Sequence, residues 1–225
     1  MGNYNVKVAS IDNIAPQVLK IVTNKPIGFD LEPGKAAHLA ISKSGWITEK
    51  RPFTMTNLPN SDLLEFIVKA YPEIQGVTNE LLALRTNDEL LLCDGFETIT
   101  YKGEGVFIAA GDGAKPFISI LRNLKAKNEI GHNMLLFANK AKADIMLTKE
   151  FTDLLGDAFI NILSEKLIDG YAFARITELL LKNNISNLNQ QFYICGSRDM
   201  IEEVQGILIH IGVDKQLITK EIFKF

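Results

Sequence analysis

The spacing of apolar residues changes once along the chain, near residues 101–105, and this change constrains the fold more than any other feature. Before it, short apolar stretches are separated by turn-forming residues, which is typical of an antiparallel β-barrel. After it, apolar strands alternate with helix-length stretches, which is typical of a mostly parallel sheet with helices on both faces. The sequence therefore predicts two domains, an antiparallel β-barrel over residues 1–102 and an α/β domain over residues 103–225.

The elements of each domain follow from the same apolar pattern. Strands of the first domain are predicted at 18–22, 36–41, 52–56, 64–70 and 89–93. In the second domain a helix follows each predicted strand, in the pairs 106–110 with 117–125, 133–138 with 147–155, and 191–195 with 199–211. Because parallel strands end at one edge of their sheet, the loops 110–115 and 195–199 should face the same ligand cleft.

The composition excludes several classes of function. The 225 residues are 47% apolar, and 24 Lys and Arg against 27 Asp and Glu give a net charge of −3. No basic block could follow a nucleic-acid backbone, so nucleic acid is not expected as a partner. Cys93 and Cys195 lie far apart, and the absence of zinc or iron–sulfur ligand spacing predicts reduced thiols and no metal. The polar start and short apolar runs predict a cytoplasmic protein without membrane insertion.

The turn AAGDGAKPF, residues 109–117, joins the first strand of the second domain to its helix. Gly111 and Gly113 permit a tight turn, and Pro116 suits the first helical turn, so backbone N–H groups could point at a phosphate. A plain strand-to-helix turn would need the same glycines. Asp112 would repel a diphosphate at ~4 Å by about 1 kcal/mol in water and by several in a drier cleft.

The stretch RPFTMTN, residues 51–57, combines a cation, an aromatic ring and a hydroxyl on one strand. Arg51 could pair with a phosphate while Phe53 packs beside a ring system and Thr54 hydrogen-bonds it. The strand period of two places Arg51 and Phe53 on one face and the side chain of Thr54 on the other. An amphipathic strand with a surface arginine would carry the same pattern.

The stretch YPEIQGVTNELLAL, residues 71–84, contains a loop at Gly76 and Val77 followed by a short apolar segment. Thr78 is predicted to cap a helix over 79–84, whose positive end could meet a diphosphate. A connecting helix with no ligand would look the same.

A further stretch, FYICGSRDMIEEV at residues 192–204, reads as a strand that ends in Cys195 and a helix capped by Ser197 or Asp199. The thiol of Cys195 is either a small buried apolar group or a group that lies in the cleft beside a reacting ring.

Five segments in this order resemble motifs of the ferredoxin–NADP reductase superfamily, especially of its bacterial flavodoxin/ferredoxin reductase-like members. LEPGKAAHLAI resembles the barrel strand before the flavin motif, RPFTMTN the Arg-x-Tyr-Ser/Thr flavin motif, and GVTNELLAL the flavin diphosphate segment. AAGDGAKPF resembles the nicotinamide motif GGxGxxPF, and CGSRDM resembles the Cys-Gly-x-x-x-Met segment. The resemblance covers nearly the whole chain and implies a flavin-binding barrel followed by an NAD(P)-binding α/β domain.

On the flavin side, the resemblance implies FAD as cofactor. Arg51 would hold a flavin phosphate, Phe53 would lie against the isoalloxazine ring, and Thr54 would bond near the reactive nitrogen. The residues implied to bind FAD are Arg51, Pro52, Phe53, Thr54, Gly76, Val77 and Thr78.

On the nucleotide side, the resemblance implies NADPH or NADH as substrate. The residues implied to line it are Gly111, Asp112, Gly113, Pro116, Cys195, Gly196 and Met200. The terminal segment KEIFKF resembles one that places a glutamate near the flavin, which implies Glu221, with Phe223 or Phe225 covering a ring. Thr54, Cys195 and Glu221 are thereby implied to act at the reacting rings.

The chain departs from these motifs at several positions. Phe53 replaces the usual tyrosine, so one hydrogen bond of about 0.5–1.5 kcal/mol is lost while stacking remains. Ala110 and Asp112 replace a glycine and a small or hydroxyl residue, and Ser197 stands where proline is frequent. These departures concern the nicotinamide side most.

The implied reaction is hydride transfer from NAD(P)H to flavin, followed by electron transfer to a small carrier such as a ferredoxin or flavodoxin. A cationic pocket for the 2′-phosphate of NADPH could form from Asn139, Lys140, Lys142 and Arg175, although exposed lysines are more often only solvated. The alternative function is a flavin-binding electron-transfer or regulatory subunit with a degenerate nucleotide site. An electron-transfer subunit resembling that of dihydroorotate dehydrogenase complexes is disfavoured, because no cysteine cluster is present.

Overall fold

The computed structural model describes residues 3–70, 76–165, 167–169, 171–173 and 175–222. The chain divides into two compact units. The first comprises Met1–Thr98 with Ile118–Asn123, and the second comprises Ile99–Phe117 with Leu124–Phe225.

The first unit is built on six antiparallel strands. They are β1 (Asn3–Ala15), β2 (Val18–Asn24), β3 (Lys35–Ile41), β4 (Arg51–Thr54), β5 (Leu63–Lys69) and β6 (Glu89–Glu97). Their order in the sheet is β4-β3-β6-β1-β2-β5. A bridge between Met55 and Phe66, with Thr56 N donating to Glu65 O at 2.9 Å, joins the two edge strands. The predicted antiparallel barrel is thereby confirmed.

Alternate residues of these strands fill the barrel interior, as the strand period of two requires. On β1, Val6 and Val8 are buried between exposed neighbours. Phe53 of β4 belongs to the same apolar cluster, and so does Val77 of the short helix α1 (Val77–Glu80). Because each buried apolar side chain contributes about 1.5–3 kcal/mol, this cluster fixes both β4 and α1 to the barrel.

A polar network attaches residues 118–123, which lie within helix α2 (Lys115–Ala126), to the strands of the first unit. Gly34 N donates to Ser119 Oγ at 2.9 Å. Arg122 Nη1 donates to Thr56 O at 2.8 Å and pairs with Glu65 Oε1 at 2.6 Å. Thr56 Oγ1 donates to the same carboxylate oxygen at 2.6 Å. The Arg122 and Glu65 side chains are only 20% and 17% exposed, so this ion pair is largely shielded from water.

Replacing Arg122 with Met should therefore destabilise the first unit by about 2 kcal/mol, because the Glu65 carboxylate would keep its burial and lose its cation. Urea unfolding of the variant measures the loss. The matched control is Arg85→Met, which removes an exposed arginine of the same unit and should change stability little. Adding Glu65→Met to the Arg122 variant should recover most of the lost stability. Equal losses of stability in the Arg122 and Arg85 variants would show that the buried Arg122–Glu65 pair does not cause the effect.

The second unit is built on six parallel strands. They are β7 (Gly105–Ala110), β8 (Met134–Asn139), β9 (Phe159–Leu163), β10 (Ala172–Phe173), β11 (Gln191–Gly196) and β12 (Ile218–Ile222). Their order is β10-β9-β8-β7-β11-β12. The helices that follow α2 are α3 (Thr148–Leu155), α4 (Glu178–Asn184) and α5 (Arg198–His210).

Helices cover both faces of the parallel sheet. On one face, Phe107 of β7 packs against Phe117 of α2 with ring centroids 4.9 Å apart, and Phe137 of β8 packs against Phe151 of α3 at 6.0 Å. On the other face, apolar residues of β7 and β11 form one cluster with residues of α4 and α5. This arrangement confirms the predicted α/β domain with a parallel sheet.

The helix caps differ in part from the predicted ones. Ser197 caps α5, since its Oγ accepts from Met200 N at 3.4 Å. Thr78 does not cap a helix, so that prediction was wrong. The helix begins earlier, at Val77, because Gly76 O accepts from the N–H groups of Asn79 at 3.1 Å and Glu80 at 3.2 Å.

Candidate functional site

The flavin motif lies on β4 of the first unit, paired with β3 through Pro52 opposite His38 and Thr54 opposite Ala36. Arg51, at the start of β4, has a half-exposed side chain. Its Nη2 pairs with Glu49 Oε2 at 3.2 Å, and its Nη1 donates to the Lys50 carbonyl at 3.0 Å. An exposed ion pair of this kind contributes ~0–1 kcal/mol, so the guanidinium group can exchange Glu49 for a phosphate at little cost.

The two residues after Pro52 are buried. Phe53 is 8% exposed and is held by the barrel core, whereas Arg51 on the same face is exposed at the strand end. Thr54 is 3% exposed, and its side chain makes no hydrogen bond to any residue in the described ranges. A hydroxyl at a buried position, with no partner among the described residues, fits the flavin contact that the resemblance assigns to it.

Residues 76–78 form the start of α1. Val77 is 3% exposed and anchors this segment in the barrel core, while Gly76 and Thr78 are partly exposed. The backbone of Gly76 is fully extended. The preceding residues of the stretch, 71–75, lie outside the described ranges, as do the terminal aromatic residues Phe223 and Phe225.

In the second unit the glycine turn packs directly on the end of β11. Gly111 has φ +51°, a conformation that favours glycine. A Cβ atom on Gly113 would lie 2.1 Å from the carbonyl oxygen of Cys195, so only glycine permits this approach. Pro116 is the second residue of α2. The loops 110–115 and 195–199 therefore meet at the carboxyl edge of the sheet.

Cys195 lies at the centre of this edge, opposite Ala109 of β7 and Glu221 of β12. Its thiol is fully buried. Burial raises the pKa of Cys195 well above its usual range, the Glu221 and Asp112 carboxylates raise it further, and only the Lys115 ammonium lowers it. Cys195 is therefore a neutral thiol at physiological pH.

We expect the Cys195 thiol to resist alkylation in the folded protein at neutral pH, because only the thiolate reacts and its formation is disfavoured here. Iodoacetamide labelling followed by peptide mass spectrometry measures this, with the urea-unfolded chain as control. The same raised pKa makes the stability of the fold depend on pH. Because folding keeps the Cys195 thiol neutral, its contribution to the free energy of unfolding is present below the ordinary thiol pKa of about 8.5. This contribution is lost as pH rises through the pKa of the folded protein. Rapid labelling of the folded protein near pH 7 would contradict this environment.

Asp112 is balanced by a lysine that the sequence pattern did not single out. Lys115 Nζ lies 3.0 Å from Asp112 Oδ1, and each side chain is 7% exposed. The repulsion of a diphosphate expected from Asp112 alone therefore has to be corrected, since the turn carries a cation within the same buried pair. Opposite charges three residues apart are the sequence signal for such a contact, but this spacing does not show that the pair is buried.

Gly196 and Met200 of the CGSRDM stretch lie beside the glycine turn. A Cβ on Gly196 would lie 3.2 Å from Met200 Sδ and 3.5 Å from the Cβ of Ala110. Met200 is held there by the cap that Ser197 forms at the start of α5. The structure thus brings Gly113, Cys195, Gly196 and Met200 together.

The candidate 2′-phosphate pocket follows β8. Asn139 is 6% exposed, and neither polar atom of its side chain has a hydrogen-bond partner among the residues that the structure describes. An unsatisfied amide at the carboxyl edge of a parallel sheet fits a nucleotide contact. Lys140, Lys142 and Arg175 are exposed, and Lys142 Nζ lies 5.3 Å from the ring centroid of Tyr171.

Two family models together match most of the chain. A model described as an FAD-binding domain matches residues 3–108, and one described as an oxidoreductase NAD-binding domain matches residues 107–206. These matches give FAD and a nicotinamide dinucleotide as the cofactor and substrate classes of the fold. Among the described helices, none combines the length and apolar character needed to span a membrane.

Relatives and solved structures agree with these models. The reductase component of propane 2-monooxygenase from Mycolicibacterium goodii is 27% identical to this chain. The alignment covers 91% of this chain and 62% of the relative. The flavodoxin/ferredoxin–NADP reductase of Buchnera aphidicola is 24% identical, and the alignment covers 91% of this chain and 89% of that reductase. A ferredoxin–NADP⁺ reductase structure from Neisseria gonorrhoeae with bound FAD and NADP has a TM-score of 0.84 at 17% identity, over 99% of both chains.

The chain spans about three fifths of the length of several curated relatives that it matches. Both domains of the common fold nevertheless lie within it, in the order that the motifs predict. The chain belongs to the ferredoxin–NADP reductase superfamily.

Proposed function

We propose that the protein is an FAD-dependent NAD(P)H oxidoreductase that delivers electrons to a small carrier protein such as a ferredoxin or flavodoxin. The observation that carries this proposal is the carboxyl edge of the parallel sheet, where Gly113 fits against Cys195 beside Glu221. The names of the relatives, which include reductase components of oxygenase systems, support it. When bound, FAD supplies the redox chemistry by accepting a hydride and releasing electrons one at a time.

Each unit has its own task in this proposal. The division is residues 1–102 for flavin and 103–225 for the nucleotide. Arg51 with Pro52 binds a flavin phosphate, Phe53 and Thr54 contact the ring, and residues 76–78 line the diphosphate. The Thr54 hydroxyl, which has no partner among the described residues, supports this assignment most directly.

In the second unit, residues 111–116 shape the dinucleotide site, and Cys195, Gly196 and Met200 lie beside the nicotinamide. Cys195 supports the ring site from within the sheet edge as a buried neutral thiol that exchanges no proton, since hydride transfer needs no general base. Glu221 and Phe225 complete the site at the terminal segment. The orphaned amide of Asn139 favours a nucleotide contact near the exposed Lys140, Lys142 and Arg175, which would select NADPH over NADH.

The alternative, a flavin-binding subunit with a degenerate nucleotide site, rested on Asp112 as an unbalanced acid. The 3.0 Å pair with Lys115 removes much of that argument. The two functions differ in one observable property, which is whether a reduced pyridine nucleotide bleaches the bound flavin.

The test is the visible spectrum of the purified protein, recorded anaerobically before and after addition of NADPH or NADH. A yellow protein whose flavin absorbance is bleached by either nucleotide supports the reductase. A yellow protein that neither nucleotide bleaches would favour the alternative. A colourless protein that takes up no added FAD would overturn both. Reduction of added ferredoxin or flavodoxin by the bleached protein then tests the carrier.

A further inference from the structure

Three residues other than Asp112 and Lys115 have clear roles in shaping the turn that contains this pair. Gly111 supplies the positive φ, Gly113 the close approach to β11, and Pro116 the fixed backbone of the first helical turn. Burying two charges costs free energy that their attraction repays only in part, so a buried pair is weak evidence for a stabilising role. Because other residues of the turn fix its conformation, the buried Asp112–Lys115 pair points to an electrostatic role.

The pair lies against the group at the centre of the site. Gly113, between the two charged residues, sits on the Cys195 carbonyl, with backbone contacts that leave no space for a side chain. The field of each charge reaches the thiol: Asp112 and Glu221 raise the pKa of Cys195, whereas Lys115 lowers it. Opposite charges from one turn therefore act on the same point of the sheet edge.

We infer that Asp112 and Lys115 act on the nicotinamide ring with opposite sign, so that their pairing keeps the relative affinity of the site for the oxidised and the reduced ring balanced. This rests on the proposed function, which places the ring beside Cys195. Hydride leaves carbon 4 of the dihydronicotinamide with both electrons of the C–H bond and passes to the flavin, so the neutral ring becomes a cation. A carboxylate near the ring favours the cationic product, and an ammonium group disfavours it.

The experiment measures the two affinities without turnover. Isothermal titration of the FAD-loaded protein uses NAD⁺, whose ring is cationic, and tetrahydronicotinamide adenine dinucleotide, whose ring is neutral and donates no hydride. If the protein prefers NADPH, NADP⁺ and the corresponding tetrahydro analogue of NADPH replace these two ligands. The readout is the ratio of the two dissociation constants, because a change in loop shape or in diphosphate binding alters both constants together and leaves their ratio unchanged.

Substitutions at the two positions should move this ratio in opposite directions. Asp112→Asn should weaken binding of the cationic ring relative to the neutral ring roughly tenfold, and Lys115→Met should strengthen it by a similar factor. The double variant Asp112→Asn/Lys115→Met should return the ratio close to that of the natural protein, and Lys115→Arg, which keeps the charge, should leave it unchanged. If a single variant fails to fold, Asp112→Ser and Lys115→Gln admit water to the remaining charge and carry the same comparison.

The outcomes separate the inference from the function on which it rests. Opposite shifts that cancel in the double variant support the inference. Binding of both nucleotides with a ratio that stays constant, or that moves in the same direction in both single variants, would overturn it and leave the proposed function intact. Failure of the natural protein to bind either nucleotide would overturn the proposed function and the inference with it.

Discussion

Replacing Arg51 with Ala should raise the dissociation constant of FAD roughly 100-fold, which is the largest effect we expect from one side chain of the first unit. The proposed contact is a charge-assisted pair between the guanidinium group and a flavin phosphate. Arg51 is available for it, because its present partner Glu49 lies in a half-exposed ion pair of little energy. Flavin fluorescence during titration of the flavin-free protein with FAD measures the dissociation constant.

Three variants make this prediction specific. Arg51→Lys keeps the charge but loses the planar fork, so it should recover only part of the affinity. Arg85→Ala removes an exposed arginine of the same unit that has no proposed role in binding, and it should leave the dissociation constant unchanged. Glu49→Gln removes the competitor of the phosphate and should tighten FAD binding slightly. A similar loss in the Arg51 and Arg85 variants would indicate a nonspecific charge effect and contradict the phosphate contact.

Two interior strands of the second sheet were predictable because their own residues specify them, whereas β1 and β9 were not predicted. β7 and β11 are continuous apolar stretches bounded by turn signals, and both are almost wholly buried. β6 was predicted too short, since it continues past Asp94 and Gly95 through pairing with β3, where Gly95 lies opposite Ala37. A register shift in that pairing, which depends on residues distant in sequence, accounts for the extension.

The edge strands of the second sheet were not predicted, for a related reason. β10 consists of two residues, and its pairing with β9 is the only ladder that defines it within the described ranges. β12, Ile218–Ile222, contains three consecutive polar residues, and it forms because β11 offers it a parallel partner. Neither segment has an apolar pattern strong enough to predict a strand without that neighbour.

The candidate site shows the same division between local and tertiary information. The glycine turn and the Arg51 strand were recognisable, because a motif is a local pattern of residue types. The partner of Asp112 was missed, since a lysine at a helix start is usually solvated and only packing shows that Lys115 is buried. The orphaned amide of Asn139 is likewise visible only once its surroundings are known.

Replacing Gly113 with Ala should destabilise the second unit by about 3 kcal/mol and abolish nucleotide binding. The new Cβ would lie 2.1 Å from the oxygen, 2.5 Å from the carbonyl carbon of Cys195 and 2.9 Å from Gly196 N. These are backbone atoms of a central strand, so no side-chain rotation can relieve the clash. The turn must move away from β11, which separates the groups that the proposed nucleotide site requires.

Two other glycines of the same unit provide graded controls. Gly111→Ala meets no atom within 4 Å but adopts φ +51°, and it should cost about 1 kcal/mol. Gly206→Ala, within α5, also meets no atom within 4 Å and should stabilise the helix by about 0.5–1 kcal/mol. Urea unfolding measures the change in the free energy of unfolding for each of the three glycine variants. Hydrogen exchange of β11 and α5 peptides shows that the change occurs in the second unit. If Gly113→Ala costs no more than Gly111→Ala, the turn does not pack on the Cys195 carbonyl, and the geometry proposed for the nicotinamide side is wrong.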